Sequence, residues 1–291
     1  MLTPSADVAA EPSRGVAPSP GALLRDWRRK RGLSLSDLAS DADVSPRYLG
    51  RVEIGRVSPG RELLLKLAGR LDLSLRDRNT LLEAAGFGPA FPQRPFAGTA
   101  LEPIRRNLEA LLAAYEPYPA LLVDHHWTML SANRALSGLV FGAEPLLLRP
   151  PVNLLRLALH PAGLAPRIVN LAEWRGAVIM RLRQQINASG DATLRDLLDE
   201  IWDYPCPAAD PEGAMPANGV ATPFRLATID GEMSFLTMTT RVAMSADITV
   251  SDLAIEAFLP ADAATAALTR RYVEARGSTS GEAVAGGSAA P

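Results

Sequence analysis

The 291-residue chain is poor in the side chains that most chemistry needs, with one cysteine (Cys206), three histidines (His125, His126, His160) and two lysines (Lys30, Lys66). A single thiol excludes an intrachain disulfide and supplies at most one sulfur to a metal. A Ser/Lys dyad of the self-cleaving kind would need a lysine in the second half of the chain, and both lysines lie in the first quarter. Three histidines and one cysteine are too few and too scattered for a hydrolytic metal centre, and no G-x-x-x-x-G-K phosphate loop occurs. No catalytic residue, metal or cofactor is expected. Aromatics are scarce at 5%, and no run of about eighteen uncharged apolar residues suits a membrane span. Met1 to Pro20 lacks the basic start and apolar stretch of a leader, so the expected location is the cytoplasm without membrane insertion.

The hydrophobic content of 47% is enough for buried cores, and the length suggests two domains. The net charge of −2 conceals an asymmetry: residues 20–90 carry 13 Lys+Arg against 9 Asp+Glu, and the rest carries 17 against 23. The basic end is the candidate anion binder. Residues 1–19 (Pro, Ser, Ala) and 277–291 (Gly, Ser, Ala) have no hydrophobic period and are expected to be disordered. The Pro/Gly-rich stretch 87–99 reads as a linker, with Phe87, Phe91 and Phe96 expected to lie against a surface.

Residues 20–86 read as an all-α, five-helix domain with clear start signals. Ser34 with Asp37 forms a capping-box pair, Ser45-Pro46 and Ser58-Pro59 each look like an N-cap followed by proline, and Ser74 with Asp77 opens the last helix. Within Leu35 to Glu53, Leu38, Ala39, Val44, Leu49 and Val52 have the apolar spacing of two helices crossing at a short turn. That leaves Arg47, Tyr48 and Arg51 outward near the start of the second helix, where they would reach base edges. Ser34, Ser36, Ser45, Arg56, Ser58 and Arg61 are the expected phosphate contacts. The plainer alternative is a helical bundle that binds protein.

The stretch GLSLSDLASDADVSPRYLGRVEIGRVSPGRELLLKLAGRLDL resembles the Xre/Cro-repressor family of helix-turn-helix domains. Leu35 replaces the family's usual glutamine, Asp43 stands in the turn where glycine is common, and Gly50 replaces a frequent serine. The resemblance implies that Glu53 pairs with Arg25 and Arg28.

Residues 100–276 read as an α+β domain. PALLVD from Pro119 and Thr128–Ala132 are strands, helical patterns follow to Asp203, and Pro223–Ile229, Glu232–Thr240 and Ile248–Phe258 are strands again, the first two joined by an Asp230-Gly231 hairpin turn. This is the order of a PAS-type sensor. VDHHWTMLSANRAL, NLLRLALHPAGL, PRIVNLAEW, RLRQQ and FLPADAAT resemble the MmyB-like regulators, which join an Xre-type domain to a PAS-like ligand-binding domain. The resemblance implies an apolar ligand such as a long-chain fatty acid, double-stranded DNA as a partner, and a homodimer. His160, Arg167, Asn170, Phe235 and Met238 are the ligand-binding candidates, and Met233, Phe235, Leu236 and Met238 imply a strand covered on both faces. His125 and His126 fall between two strands, where alternation turns one of them outward, so no zinc or haem role is expected of them. A second domain that only dimerises, or an enzyme fused to the helix-turn-helix domain, is the alternative.

Overall fold

The computed structural model describes residues 18–207 and 221–285. Of the segments expected to be disordered, 1–17 and 286–291 lie outside these residues, whereas 277–285 is described and is helical. Ser19 is described, and its hydroxyl caps the first helix by accepting from the Ala22 amide at 3.3 Å. The chain forms two compact units that divide between Ala90 and Phe91.

The first unit holds α1 (Pro20–Lys30), α2 (Leu35–Asp41), α3 (Pro46–Glu53), α4 (Arg61–Arg70) and α5 (Leu75–Ala84). The serine signals act as read at three helices: Ser34, Ser45 and Ser74 each accept from the backbone N–H three residues on, and Ser34 and Asp37 complete a reciprocal capping box. The fourth signal behaves differently. Pro59 is buried and Gly60 stays extended with ψ 160°, so α4 begins at Arg61 and its N-terminus has no side-chain cap. Leu24, Trp27, Leu38, Ala39, Leu49, Val52, Leu64, Leu67, Leu81 and Leu82 are buried together, each leucine contributing about 1.5–3 kcal/mol by leaving water. Phe87 packs against this core. Gly21 is where α1 meets α3: a Cβ there would enter the van der Waals shell of the Val52 carbonyl oxygen.

The second unit is built on one antiparallel sheet in the order β2-β1-β5-β4-β3, from β1 (Ala120–Val123), β2 (Met129–Ala132), β3 (Phe224–Thr228), β4 (Gly231–Arg241) and β5 (Ala254–Pro260). The helices are α6 (Glu102–Ala114), α7 (Leu136–Leu139), α8 (Leu154–Leu159), α9 (Leu171–Ser189), α10 (Ala192–Trp202), α11 (Ile248–Ser251) and α12 (Ala263–Ala285). One face of the sheet joins α7 to α10 in the main core, through residues such as Leu121, Phe224, Phe235 and Phe258. On the other face, Leu122, Ile255 and Ala257 pack with Leu108 and Leu112 of α6 and with Phe96. The strand-helix-strand order matches the reading of the sequence.

Five local readings change. Ile248–Phe258 is not one strand, because the Asp247 carboxylate accepts from the amides of Thr249 (2.9 Å) and Val250 (3.4 Å) and starts the turn α11 despite three β-branched residues. The β3–β4 hairpin turns at Ile229-Asp230, since Thr228 pairs with Gly231, whose φ of 131° suits glycine. The helix expected from Pro166 starts at Leu171, because Ile168 bridges to Leu226 and the Val169 amide donates to Arg225. On β4, Met233 and Phe235 are buried whereas Leu236 and Met238 are 41% and 52% exposed, so the described chain covers one face of that strand. At the end, α12 continues to Ala285, past the expected boundary at Arg276, in keeping with the low cost of extending a helix already nucleated.

Candidate nucleic-acid interface and apolar cavity

The α2–turn–α3 segment is closed by Asp43 in the left-handed region (φ 60°), where glycine is usual and aspartate is tolerated. The Val44 amide donates to Ala39 at 3.0 Å and fixes the crossing. Arg47 and Arg51 of α3 are exposed, as are Arg56 and Arg61, and none of the four has an ion pair among the described residues. Tyr48 is half-buried and packs on the core. Ser36, Ser45 and Ser58 are exposed. Ser34 is also exposed, but its hydroxyl and backbone N–H bond the Asp37 carboxylate and hold it below the usual carboxylate range.

Behind this surface a buried ion pair ties α1 to the end of α3. Arg28 donates to Glu53 from Nε at 2.6 Å and from Nη2 at 2.8 Å, and to the Leu33 carbonyl from Nη1 at 2.9 Å. The hydrogen bond to Glu53 raises the guanidinium's already high pKa. The structure assigns the pair to Arg28 alone, since the Nε of Arg25 is buried without a hydrogen bond.

In the second unit a cavity of about 160 Å³ lies between the sheet and helices α7, α8 and α9. Trp127, Trp174, Phe224 and Phe258 supply aromatic walls, and Leu136, Leu154, Ala158, Ala177 and Val178 supply aliphatic ones. Polar groups sit at one side. Arg181 donates to both oxygens of Glu256, at 3.1 and 2.6 Å, and its guanidinium lies 4.4 Å from the centre of the Trp127 ring. Glu256 is 1% exposed, and Thr239 Oγ1 donates to it at 3.1 Å. Thr237 Oγ1, also on the wall, is buried and has no hydrogen-bond partner among the described residues.

The five ligand candidates from the sequence do not line this cavity. His160 accepts from the Ala162 amide at 3.0 Å through Nδ1 and meets Tyr204 edge-on. Arg167 bonds the carbonyls of Leu139, Phe141 and Ala227, tying the α7 end to β3. Asn170 brackets β3 by donating to Pro223 at 2.9 Å and accepting from Arg225 at 3.3 Å. Phe235 is fully buried against Phe224 and Phe258, and Met238 faces outward. The residues that do line it were missed, although a glutamate inside the apolar run AIEAFLP was a signal that something must pair with it.

Comparison with known proteins follows this division. Residues 24–77 match a family described as helix-turn-helix. The HTH-type transcriptional regulator DdrOP3 of Deinococcus deserti is 41% identical over 64 residues, which are 22% of this chain and 47% of that protein. The chain thus spans about half the length of the curated relative it matches. The crystal structure of the clp gene regulator ClgR from Corynebacterium glutamicum aligns at 34% identity over 34% of this chain and 90% of that one, with a TM-score of 0.21. Residues 104–271, more than half of the chain, match the MmyB-like transcription regulator ligand binding domain, and the chain belongs to that family.

Proposed function

We propose that the chain is a cytoplasmic regulator of transcription that binds an operator in double-stranded DNA and responds to an apolar small molecule. The observation that carries the DNA half is the row of exposed arginines, without ion pairs among the described residues, on and just after the second helix of a helix-turn-helix. In this reading α3 enters the major groove, Arg47 and Arg51 read base edges with Tyr48 beside them, and Arg56, Arg61, Ser36, Ser45 and Ser58 hold phosphates. Ser34, which caps α2 as Ser45 caps α3, is assigned the same role. Arg47→Ala or Arg51→Ala then loses about 1–3 kcal/mol on the cognate operator and relaxes one base pair. Arg61→Ala weakens all duplexes alike and lowers the salt slope by about one. Equal loss on cognate and random DNA for the Arg47 and Arg51 variants overturns the assignment of readers.

The ligand half rests on the cavity and on Thr237, whose unmatched hydroxyl suits a ligand with one polar group on an apolar body. Burying roughly 200 Å² of apolar surface there yields about 5 kcal/mol. A single ring fills a space of this size, since a cavity of about 150 Å³ accepts benzene. A long-chain fatty acid enters with its carboxyl toward Thr237 only if α8 and α9 part to lengthen the cavity. Thermal shift of the full chain with C6 to C18 acids and with aromatic alcohols tests this. A shift that Thr237→Val abolishes supports it, and no shift with any of them leaves a dimerisation scaffold as the better account.

The partner of the exposed Leu236 and Met238 face is, in the same proposal, a second copy of the chain, and the half-sites of such a dimer lie about 34–36 Å apart along the duplex, one helical turn, or a multiple of that. Sedimentation of the full chain as a monomer at tens of micromolar rejects the dimer.

A further inference from the structure

The loop between β1 and β2 does not follow strand alternation. Asp124 Oδ1 accepts from the amides of His126 (2.9 Å) and Thr128 (2.8 Å), and Trp127 adopts a φ of 66°. This turn brings the His125 and His126 rings to the same side, with centroids 3.7 Å apart. Both face Asp191, the residue that caps α10. His126 Nε2 lies 2.9 Å and His125 Nε2 3.8 Å from Asp191 Oδ2. The other carboxylate oxygen, Oδ1, is occupied by the amides of Thr193 and Leu194, so Oδ2 is oriented by the helix end.

We propose that His125, His126 and Asp191 form a binding site for a first-row divalent metal of the zinc type, with Asp252 as its outer support. One ligand atom from each of the three lies within 4.8 Å of the others. Tetrahedral zinc with bonds of about 2.0–2.1 Å needs ligand atoms about 3.3 Å apart; the two separations to Asp191, 2.9 and 3.8 Å, straddle that value, and the two imidazole nitrogens lie within 4.8 Å of each other. His125 Nδ1 faces Asp252 Oδ2 at 3.5 Å, which is the carboxylate–histidine–metal arrangement that fixes the tautomer and orients the ring. The Asn153 side chain holds the His126 carbonyl at 2.9 Å, so the loop is anchored from α8 as well. Two neutral imidazoles and one carboxylate suit zinc, cobalt or nickel rather than calcium or magnesium. Three protein ligands leave a fourth position for water or an added group. The four side chains are 16–30% exposed, which leaves a path for the ion.

The site would tie the β1–β2 loop to the α9–α10 junction beside Trp127, whose ring is a cavity wall and donates from Nε1 to Gln185 at 2.9 Å. The test uses tag-free, chelator-treated full-length protein with Zn²⁺ in competition against a chromophoric chelator, and with Co²⁺ read by its visible absorption. One equivalent of Zn²⁺ binds, and Co²⁺ gives the strong bands of a four-coordinate site. Asp191→Asn keeps the cap of α10 and lowers Zn²⁺ affinity at least tenfold, His125→Asn with His126→Gln removes binding, and Asp252→Asn lowers affinity roughly 10- to 100-fold. Circular dichroism of each variant separates loss of ligand from loss of fold. Absence of stoichiometric Zn²⁺ binding at 50 μM, or unchanged affinity in the folded double-histidine variant, overturns the proposal.

Discussion

Removing Arg28 is expected to be the most damaging single change in the first unit. Its guanidinium makes two hydrogen bonds to Glu53 and a third to the Leu33 carbonyl, and the two side chains are only 11% and 5% exposed. In Arg28→Ala the Glu53 carboxylate stays buried without its counter-charge, at a cost of about 3–5 kcal/mol. A domain of ordinary stability holds about 5–15 kcal/mol, and a small one sits near the lower limit, so the first unit should keep only about 0–2 kcal/mol and be measurably populated in its unfolded form. Arg28→Lys keeps the charge but loses the planar fork, and falls between wild type and alanine. Pairing Arg28→Met with Glu53→Leu replaces the ion pair by apolar contact and recovers most of the loss. Urea titration of the full chain, followed by circular dichroism and by DNA binding, measures all four proteins. A loss below about 1 kcal/mol in Arg28→Ala, or no recovery in the double variant, would refute the reasoning.

Gly21→Ala places a methyl group against the Val52 carbonyl and should cost about 1–3 kcal/mol, seen as a lower melting point and weaker DNA binding. Gly50→Ala has room, since its Cβ lies 3.4 Å from Leu35 Cδ2, and should stabilise α3 by up to about 1 kcal/mol in the same melt. Ala177→Leu fills part of the cavity, so the free protein should melt no lower while the ligand-induced shift disappears. The hydrogen bond from Arg156 lowers the pKa of Glu200. A lowered carboxylate pKa stabilises the fold above its unfolded value near 4.3, and that contribution is lost as pH falls through the folded value. The partners are 46% and 36% exposed, so Glu200→Gln should cost only about 0.5–1 kcal/mol at pH 7 and flatten the melting profile below about pH 4.5.

Much of the first unit could be read from the chain because its signals are local. A serine three residues before an amide it can cap, or an aspartate at a left-handed turn, acts within one helical turn, and Ser34, Ser45, Ser74 and Asp43 all behave that way. The exception, Ser58, fails because burial of Pro59 outweighs the local cap. In the second unit the order of elements was legible and the cavity was not. Its walls come from both ends of the domain, from Trp127 to Phe258, and only the antiparallel order that sets β1 beside β5 brings them together. The opposite facing expected of His125 and His126 fails for a different reason. Alternation holds for extended backbone, and the turn at Trp127 suspends it.

Strand β5 divides its residues between two compartments. Ala254, Glu256 and Phe258 face the main core and the cavity, whereas Ile255 and Ala257 face the layer under α6. A slip of one residue would drive the Glu256 carboxylate into that apolar layer and set Ile255 against Arg181, so the register is locked by charge as well as by shape. In a genetic screen β5 should therefore behave as two interleaved sets of alleles. Even-numbered positions would alter the proposed response to a ligand, and odd-numbered ones would give temperature-sensitive protein, although neighbouring codons encode them.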